Sequence, residues 1–61
     1  MKLYNSKKDA ERSNGIIQGI DDSIYDTLKD AIEDMKTAGY DDDESMFAYG
    51  ENDRIRVAWT V

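Results

Sequence analysis

Residues 27–38 read TLKDAIEDMKTA and carry the clearest helical pattern of the chain. Their apolar members recur at the i, i+3, i+4, i+7 spacing that places one stripe along one side of a helix. These members are Leu28, Ala31, Ile32, Met35 and Ala38. The pattern predicts an amphipathic helix with this stripe facing a core.

Both ends of this segment carry helix signals. Thr27 is an N-cap residue type, and Asp30 follows three positions later as an acidic variant of the capping-box partner. Gly39 follows the last periodic residue, where a left-handed backbone ends a helix without Cβ strain. We therefore predict the main helix over residues 27–38.

A shorter helix is predicted near the N-terminus by a local repeat. Residues 3–10, LYNSKKDA, match residues 24–31, IYDTLKDA, in the order aliphatic, Tyr, Asx, Ser or Thr, any, Lys, Asp, Ala. Such an order is typical of a strand end, an N-cap and a first helical turn. It predicts a helix over about residues 6–14 that ends at Asn14-Gly15. We expect this helix to fray, because Ala10 is its one clear apolar residue. Duplication and convergent capping explain the repeat equally well.

The C-terminal third is predicted to be a β-hairpin. Residues 45–49 and 54–61 flank residues 50–53, which have turn composition. Alternation in the last strand places Ile55, Val57, Trp59 and Val61 on one face. In the preceding strand, Phe47 and Tyr49 share a face and Met46 and Ala48 share the other.

A further strand is predicted over residues 16–20, although Ile17, Ile20, Ile24 and Leu28 equally suit an earlier start of the main helix. The expected fold is α+β, with a three- or four-stranded, mostly antiparallel sheet packed on one face by the main helix. Contact is expected between the helical residues Leu28, Ile32 and Met35 and the strand residues Ile55, Val57 and Trp59.

Length and composition limit what the chain can be. Sixty-one residues make a single domain, and the 39% hydrophobic fraction predicts a thin core. Cysteine, histidine and proline are absent, which removes disulfides, thiolate metal sites and the commonest neutral-pH base. Further buried surface is expected from a partner or from a second copy in a homodimer.

No membrane or secretion signal is recognised. Lys2 is followed by no apolar h-region, and no apolar run approaches the length of a membrane span. We read the chain, which begins with Met, as a complete small cytoplasmic protein.

Enzymatic and cofactor chemistry is not expected. The four serines have no histidine to activate them, and neither a Gly-x-Ser-x-Gly motif nor a phosphate-binding glycine loop is present. The acidic run at residues 41–44 lacks calcium-loop spacing, because the sixth position from Asp41 is Met46 and the twelfth is Asn52. We predict no catalytic residue, no metal and no cofactor.

Negative charge is concentrated in the middle of the chain. Net charge is −6, and residues 21–44 contain ten acidic and two basic side chains. On the main helix, Lys29 and Lys36 lie within pairing distance of Glu33. The carboxylates predicted to bind a partner are Asp22, Asp26, Asp30, Asp34, Asp41, Asp42, Asp43 and Glu44. Such a surface repels nucleic acid and anionic membranes and favours a basic protein.

In size, charge and lack of cysteine, the chain resembles small acidic bacteriophage proteins that block restriction, CRISPR, repair or transcription enzymes. The resemblance implies an inhibitor that mimics DNA and occupies a basic nucleic-acid-binding site, with anti-restriction or anti-CRISPR action. The alternative hypothesis is a regulatory or adaptor protein that binds through Tyr, Met46 and Phe47 or through a sheet edge.

Overall fold

The computed structural model describes residues 1–40 and 44–60. Its elements in chain order are β1 (Leu3–Tyr4), α1 (Lys7–Asn14), β2 (Gly19–Ile20), α2 (Leu28–Thr37), β3 (Met46–Glu51) and β4 (Arg54–Trp59). The four strands form one sheet in the order β1-β3-β4-β2, parallel between β1 and β3 and antiparallel elsewhere. The predicted α+β class is confirmed. Neither of these two helices is long and apolar enough to cross a bilayer.

The β3–β4 hairpin forms the centre of the sheet. It pairs from Met46 opposite Trp59 to Glu51 opposite Arg54. The two residues between the strands, Asn52 and Asp53, have φ angles of 52° and 63°, as a two-residue type I′ turn requires. The predicted turn over residues 50–53 is therefore wrong in extent, because residues 50 and 51 continue β3.

Alternation along this hairpin produces a core on each face of the sheet. On one face, Ala10 of α1 packs with Phe47, Tyr49 and Ala58. On the other face, residues of α2 and Tyr25 pack with Val57. Phe47 and Tyr49 share a face as predicted. The expectation that one helix covers one face is incomplete, since α1 and α2 lie on opposite faces.

Helix α1, which we expected to fray, has a hydrogen-bonded cap at each end. The Ser6 hydroxyl accepts a hydrogen bond from the Asp9 backbone N–H at 3.2 Å. Gly15, with φ of 91°, ends the helix and donates to the Glu11 carbonyl at 2.8 Å. Ala10 is fully buried, so its methyl group anchors α1 to the sheet.

Both predicted ends of α2 are confirmed. The Thr27 hydroxyl accepts from the Asp30 N–H at 3.2 Å. After the helix, Gly39 has φ of 91°, its N–H donates to the Lys36 carbonyl at 3.0 Å, and the Tyr40 N–H donates to the Met35 carbonyl at 2.8 Å. These two bonds form a Schellman motif, which satisfies carbonyls that a helix end leaves free.

The buried side of α2 differs from the predicted stripe. Ala31 and Met35 are buried, whereas Ile32 is 36% exposed and Ala38 is exposed. Ile32 lies about 100° around the helix from Ala31, and the small Ala31 side chain, fully buried, faces the sheet. Ile32 therefore does not belong to the buried cluster that Ala31 and Met35 form with Tyr25 and Val57.

The segment between the helices is less regular than predicted. Only Gly19–Ile20 form a strand, and Ile16, at the start of the predicted strand, is 77% exposed. The alternative of an earlier helix start is also wrong, because Tyr25 forms an antiparallel bridge with Ile55 before the helix begins.

Candidate partner-binding surface

Charges are segregated around α2. At about 100° per residue, Asp30 and Asp34 lie on one flank of the helix, and Lys29 and Lys36 lie on the opposite flank. Glu33 lies on the outer line between them, and all of these side chains are exposed. The predicted pairing of Glu33 with a lysine is wrong within the described residues, where no such ion pair occurs.

Tyr25 joins the aspartate flank to the segment before α2. Its hydroxyl lies 2.5 Å from Asp34 Oδ2 and 3.3 Å from Asp21 Oδ2. Burial of the ring, followed by the hydrogen bond to Asp34, raises the pKa of Tyr25 to about 12. The phenol therefore stays protonated at neutral pH and holds two carboxylates on the same side of the molecule.

Asp26 has an ion-pair partner from β4. Its carboxylate contacts the Arg54 guanidinium, and the two side chains are 69% and 56% exposed. Exposed pairs contribute at most about 1 kcal/mol, because water screens them and two long side chains must be ordered. A cation from a partner protein can therefore replace Arg54 at little cost.

The structure separates the predicted site residues into three groups. Asp30 and Asp34 lie one turn apart on the same flank of α2, and Asp26 is drawn towards Arg54. Asp22 and Glu44 are exposed and belong to the segments before α2 and before β3. The predicted site residues Asp41, Asp42 and Asp43 lie outside the described residues.

A groove lies beside the aspartate flank. It has a volume of about 410 Å³, and its lining consists of Asp21, Asp34, Met35, Ala38, Tyr40, Ser45, Met46 and Trp59. Met35, Met46 and Trp59 make it apolar, while Asp21 and Asp34 bring carboxylates to it. The indole of Trp59 lies across Gly19 so closely that a Cβ there would be 2.2 Å from Cζ2.

Sequence reasoning missed the groove and the link that Tyr25 makes between Asp21 and Asp34. Helical periodicity groups residues within α2, but Asp21 comes from the preceding segment and reaches Asp34 only through Tyr25. Trp59 is expected in the core from strand alternation, yet it is only half-buried. One signal in the sequence could have indicated the position of Trp59. Gly19 lies in a predicted strand, and glycine in a strand indicates close approach of another group.

The aspartates do not form a metal centre in the part of the chain that the structure describes. There, no three carboxylates converge closely enough to hold an ion. Asp21 and Asp34 share a hydroxyl donor, which is an arrangement suited to binding a cationic or hydrogen-bonding group from outside.

Comparison with protein-family models, curated proteins and solved structures finds no match to this chain.

Proposed function

We propose that the protein is a small acidic inhibitor that binds a basic, nucleic-acid-binding site on a target protein. The observation that carries the proposal is the charge segregation of α2. Residues 21–40 contain six acidic and two basic side chains, and both lysines lie on the flank away from Asp30 and Asp34. A partner with a positive surface therefore meets carboxylates without interleaved lysines.

Spacing on this flank supports mimicry of a nucleic-acid backbone. Asp30 and Asp34 are separated by four residues, which is about 6 Å along a helix axis. One strand of duplex DNA carries a charge per about 3.4 Å, so the carboxylate line is sparser but of the same order. Lysine and arginine side chains, which are long and flexible, can span this difference.

The rigidity of the surface also supports binding. Caps at Thr27 and Gly39 fix both ends of α2, and Tyr25 fixes the Asp34 carboxylate. Because side chains that are already positioned lose less conformational entropy on association, such a surface binds a complementary partner more tightly. Inhibition follows by occupancy of the target's groove, and no catalysis by this chain is involved.

The proposal is tested by capture of target proteins on the immobilised chain, with salt and duplex DNA as competitors. We expect capture that is strong at about 0.05 M salt and lost by about 0.5 M, since screening shortens the range of exposed charges. Added DNA should displace the captured protein. Binding that persists at high salt and in excess DNA contradicts the proposal.

A pair of matched variants assigns the binding to the acidic region formed by residues 21–40. Asp22→Asn with Asp30→Asn removes two exposed carboxylates of the acidic region, and Glu11→Gln with Asp53→Asn removes two elsewhere. Both variants change net charge equally. We expect the first to weaken capture about tenfold and the second by less than about twofold. Equal effects would show that net charge alone, and not this surface, attracts the partner.

A second candidate function is a regulatory or adaptor protein that binds through apolar surface. Its support is the exposure of Leu3, Ile16, Ile24 and Ile32, together with the two-residue edge strands β1 and β2. The predicted contact through Phe47 is wrong, because this side chain is buried between the sheet and α1. Capture that survives salt and DNA, and weakens on Ile24→Ser, would favour this function.

A further inference from the structure

The groove beside α2 combines two kinds of wall. Asp21 and Asp34 supply carboxylates, while Trp59, Met35 and Met46 supply aromatic and apolar surface. Tyr25 donates to both carboxylates with a single hydroxyl hydrogen, whereas two carboxylates offer about eight acceptor positions. Tyr25 therefore uses only a small part of their hydrogen-bonding capacity.

The chain's own cations do not fill this groove within the described residues. Arg54 pairs with Asp26, and the two lysines of α2 lie on its other flank. The Arg56 guanidinium donates to the Asp21 backbone carbonyl at 3.2 Å, and Arg56 also interacts electrostatically with Tyr49, its pairing partner on β3. Neither Asp21 nor Asp34 forms an ion pair with a described lysine or arginine.

We propose that the groove receives an arginine side chain of the basic partner, with its guanidinium on the Asp21 and Asp34 carboxylates and its plane against Trp59. This inference rests on the proposed function and names the anchor of that interface. An arginine fits because its planar fork binds carboxylates through two hydrogen bonds and stacks on an aromatic ring. A lysine ammonium satisfies the charge but does not stack.

Proximity to apolar surface distinguishes this contact from the rest of the acidic surface, because Asp34, although exposed, lines the same groove as Trp59 and Met35. Carboxylates such as Asp30 lie in open water, where a cation gains little. A guanidinium between Trp59 and the carboxylates is partly desolvated, and hydrogen bonds between charged groups are stronger there. Interface energy is commonly concentrated in such a pocket, with arginine and tryptophan as the enriched residues.

The test uses a blocked tri-arginine peptide as the probe and the single tryptophan as the reporter. We expect a saturable shift of the Trp59 indole N–H signal in NMR spectra. Asp34→Asn should weaken binding about tenfold, because one charge-assisted hydrogen bond is lost. Its matched control, Asp53→Asn, removes the same charge from the exposed β3–β4 turn, which is not part of the groove lining, and should change binding by less than about twofold.

A second variant, Asp21→Asn, removes the carboxylate that makes the longer of the two hydrogen bonds with Tyr25, at 3.3 Å, so it perturbs Tyr25 less, and its expected loss of binding is also about tenfold. Equal weakening by Asp53→Asn and Asp34→Asn, no indole shift, or equal binding of a tri-lysine peptide would each overturn the arginine site. Those results leave the proposed function standing if Asp22→Asn with Asp30→Asn still reduces capture of the target. If Asp22→Asn with Asp30→Asn did not reduce capture of the target, the proposed function itself would be overturned.

Discussion

At the scale of single residues, Tyr25 connects the packing of the core to the acidic surface. Its ring packs with Val57 and Met35, while its hydroxyl lies between Asp34 and Asp21. A buried hydroxyl without a partner would be destabilising, so these carboxylates also stabilise the fold. The same aspartates therefore have a structural role and a proposed binding role.

Replacing Tyr25 with Phe tests this coupling. We expect a loss of about 1–2 kcal/mol in the free energy of unfolding at pH 8, because the hydrogen bonds to the carboxylates are removed. Urea denaturation followed by circular dichroism measures it. Retained packing of the ring should leave the secondary structure unchanged.

The stability difference between wild type and Tyr25→Phe should also depend on pH. The pKa of Tyr25 is raised to about 12 in the folded protein, against about 10 when unfolded. The stabilisation is therefore complete below pH 10 and is lost as pH rises towards 12. The difference in stability between wild type and Tyr25→Phe should shrink over that interval. A constant difference from pH 8 to 11.5 would contradict the assignment.

At the scale of elements, local signals explain the helices better than the strands. The caps at Ser6 and Thr27 and the stops at Gly15 and Gly39 depend on neighbouring residues, so the sequence predicted both helices closely. The extent of β2 depends on pairing with β4, which local sequence does not encode. The hydrophobic pattern of α1 also could not show which face of the sheet this helix covers, because that depends on how the elements pack together.

The candidate site was predictable only in part, for the same reason. Asp30 and Asp34 are related by helical periodicity, which the sequence displays directly. The partnership of Asp34 with Tyr25, and of Asp26 with Arg54, joins residues that local patterns do not relate. Contacts of this kind form only when the elements pack together, so local sequence does not predict them.

The hairpin turn offers a test at this scale. Asp53 has φ of 63°, a conformation that glycine adopts without Cβ strain and that a type I′ turn favours. We expect Asp53→Gly to stabilise the protein by about 0.5–1 kcal/mol, and Asp53→Val to destabilise it by about 1–2 kcal/mol. Thermal unfolding should then show midpoints several degrees above and below that of wild type, about 4–8 °C per kcal/mol. A lower midpoint for the glycine variant would contradict the turn assignment.

At the scale of the whole molecule, the sheet separates two helices with different tasks. Four basic and two acidic residues occur in residues 1–20, which include α1, whereas residues 21–40 are strongly acidic. Only Ala31 and Met35 of α2 are buried, so most of this helix is free to carry charge. A thin core and a charged outer helix are consistent with a protein whose main contacts are with a partner.

The most direct measurement of the proposed function is displacement of DNA from the captured target. A labelled duplex bound to that target is titrated with this protein while fluorescence anisotropy is recorded. We predict that anisotropy falls to the value of free DNA as the protein fills the site, and that Asp22→Asn with Asp30→Asn requires about tenfold more protein. A target that binds the protein while anisotropy stays constant or rises would contradict occupancy of the nucleic-acid site.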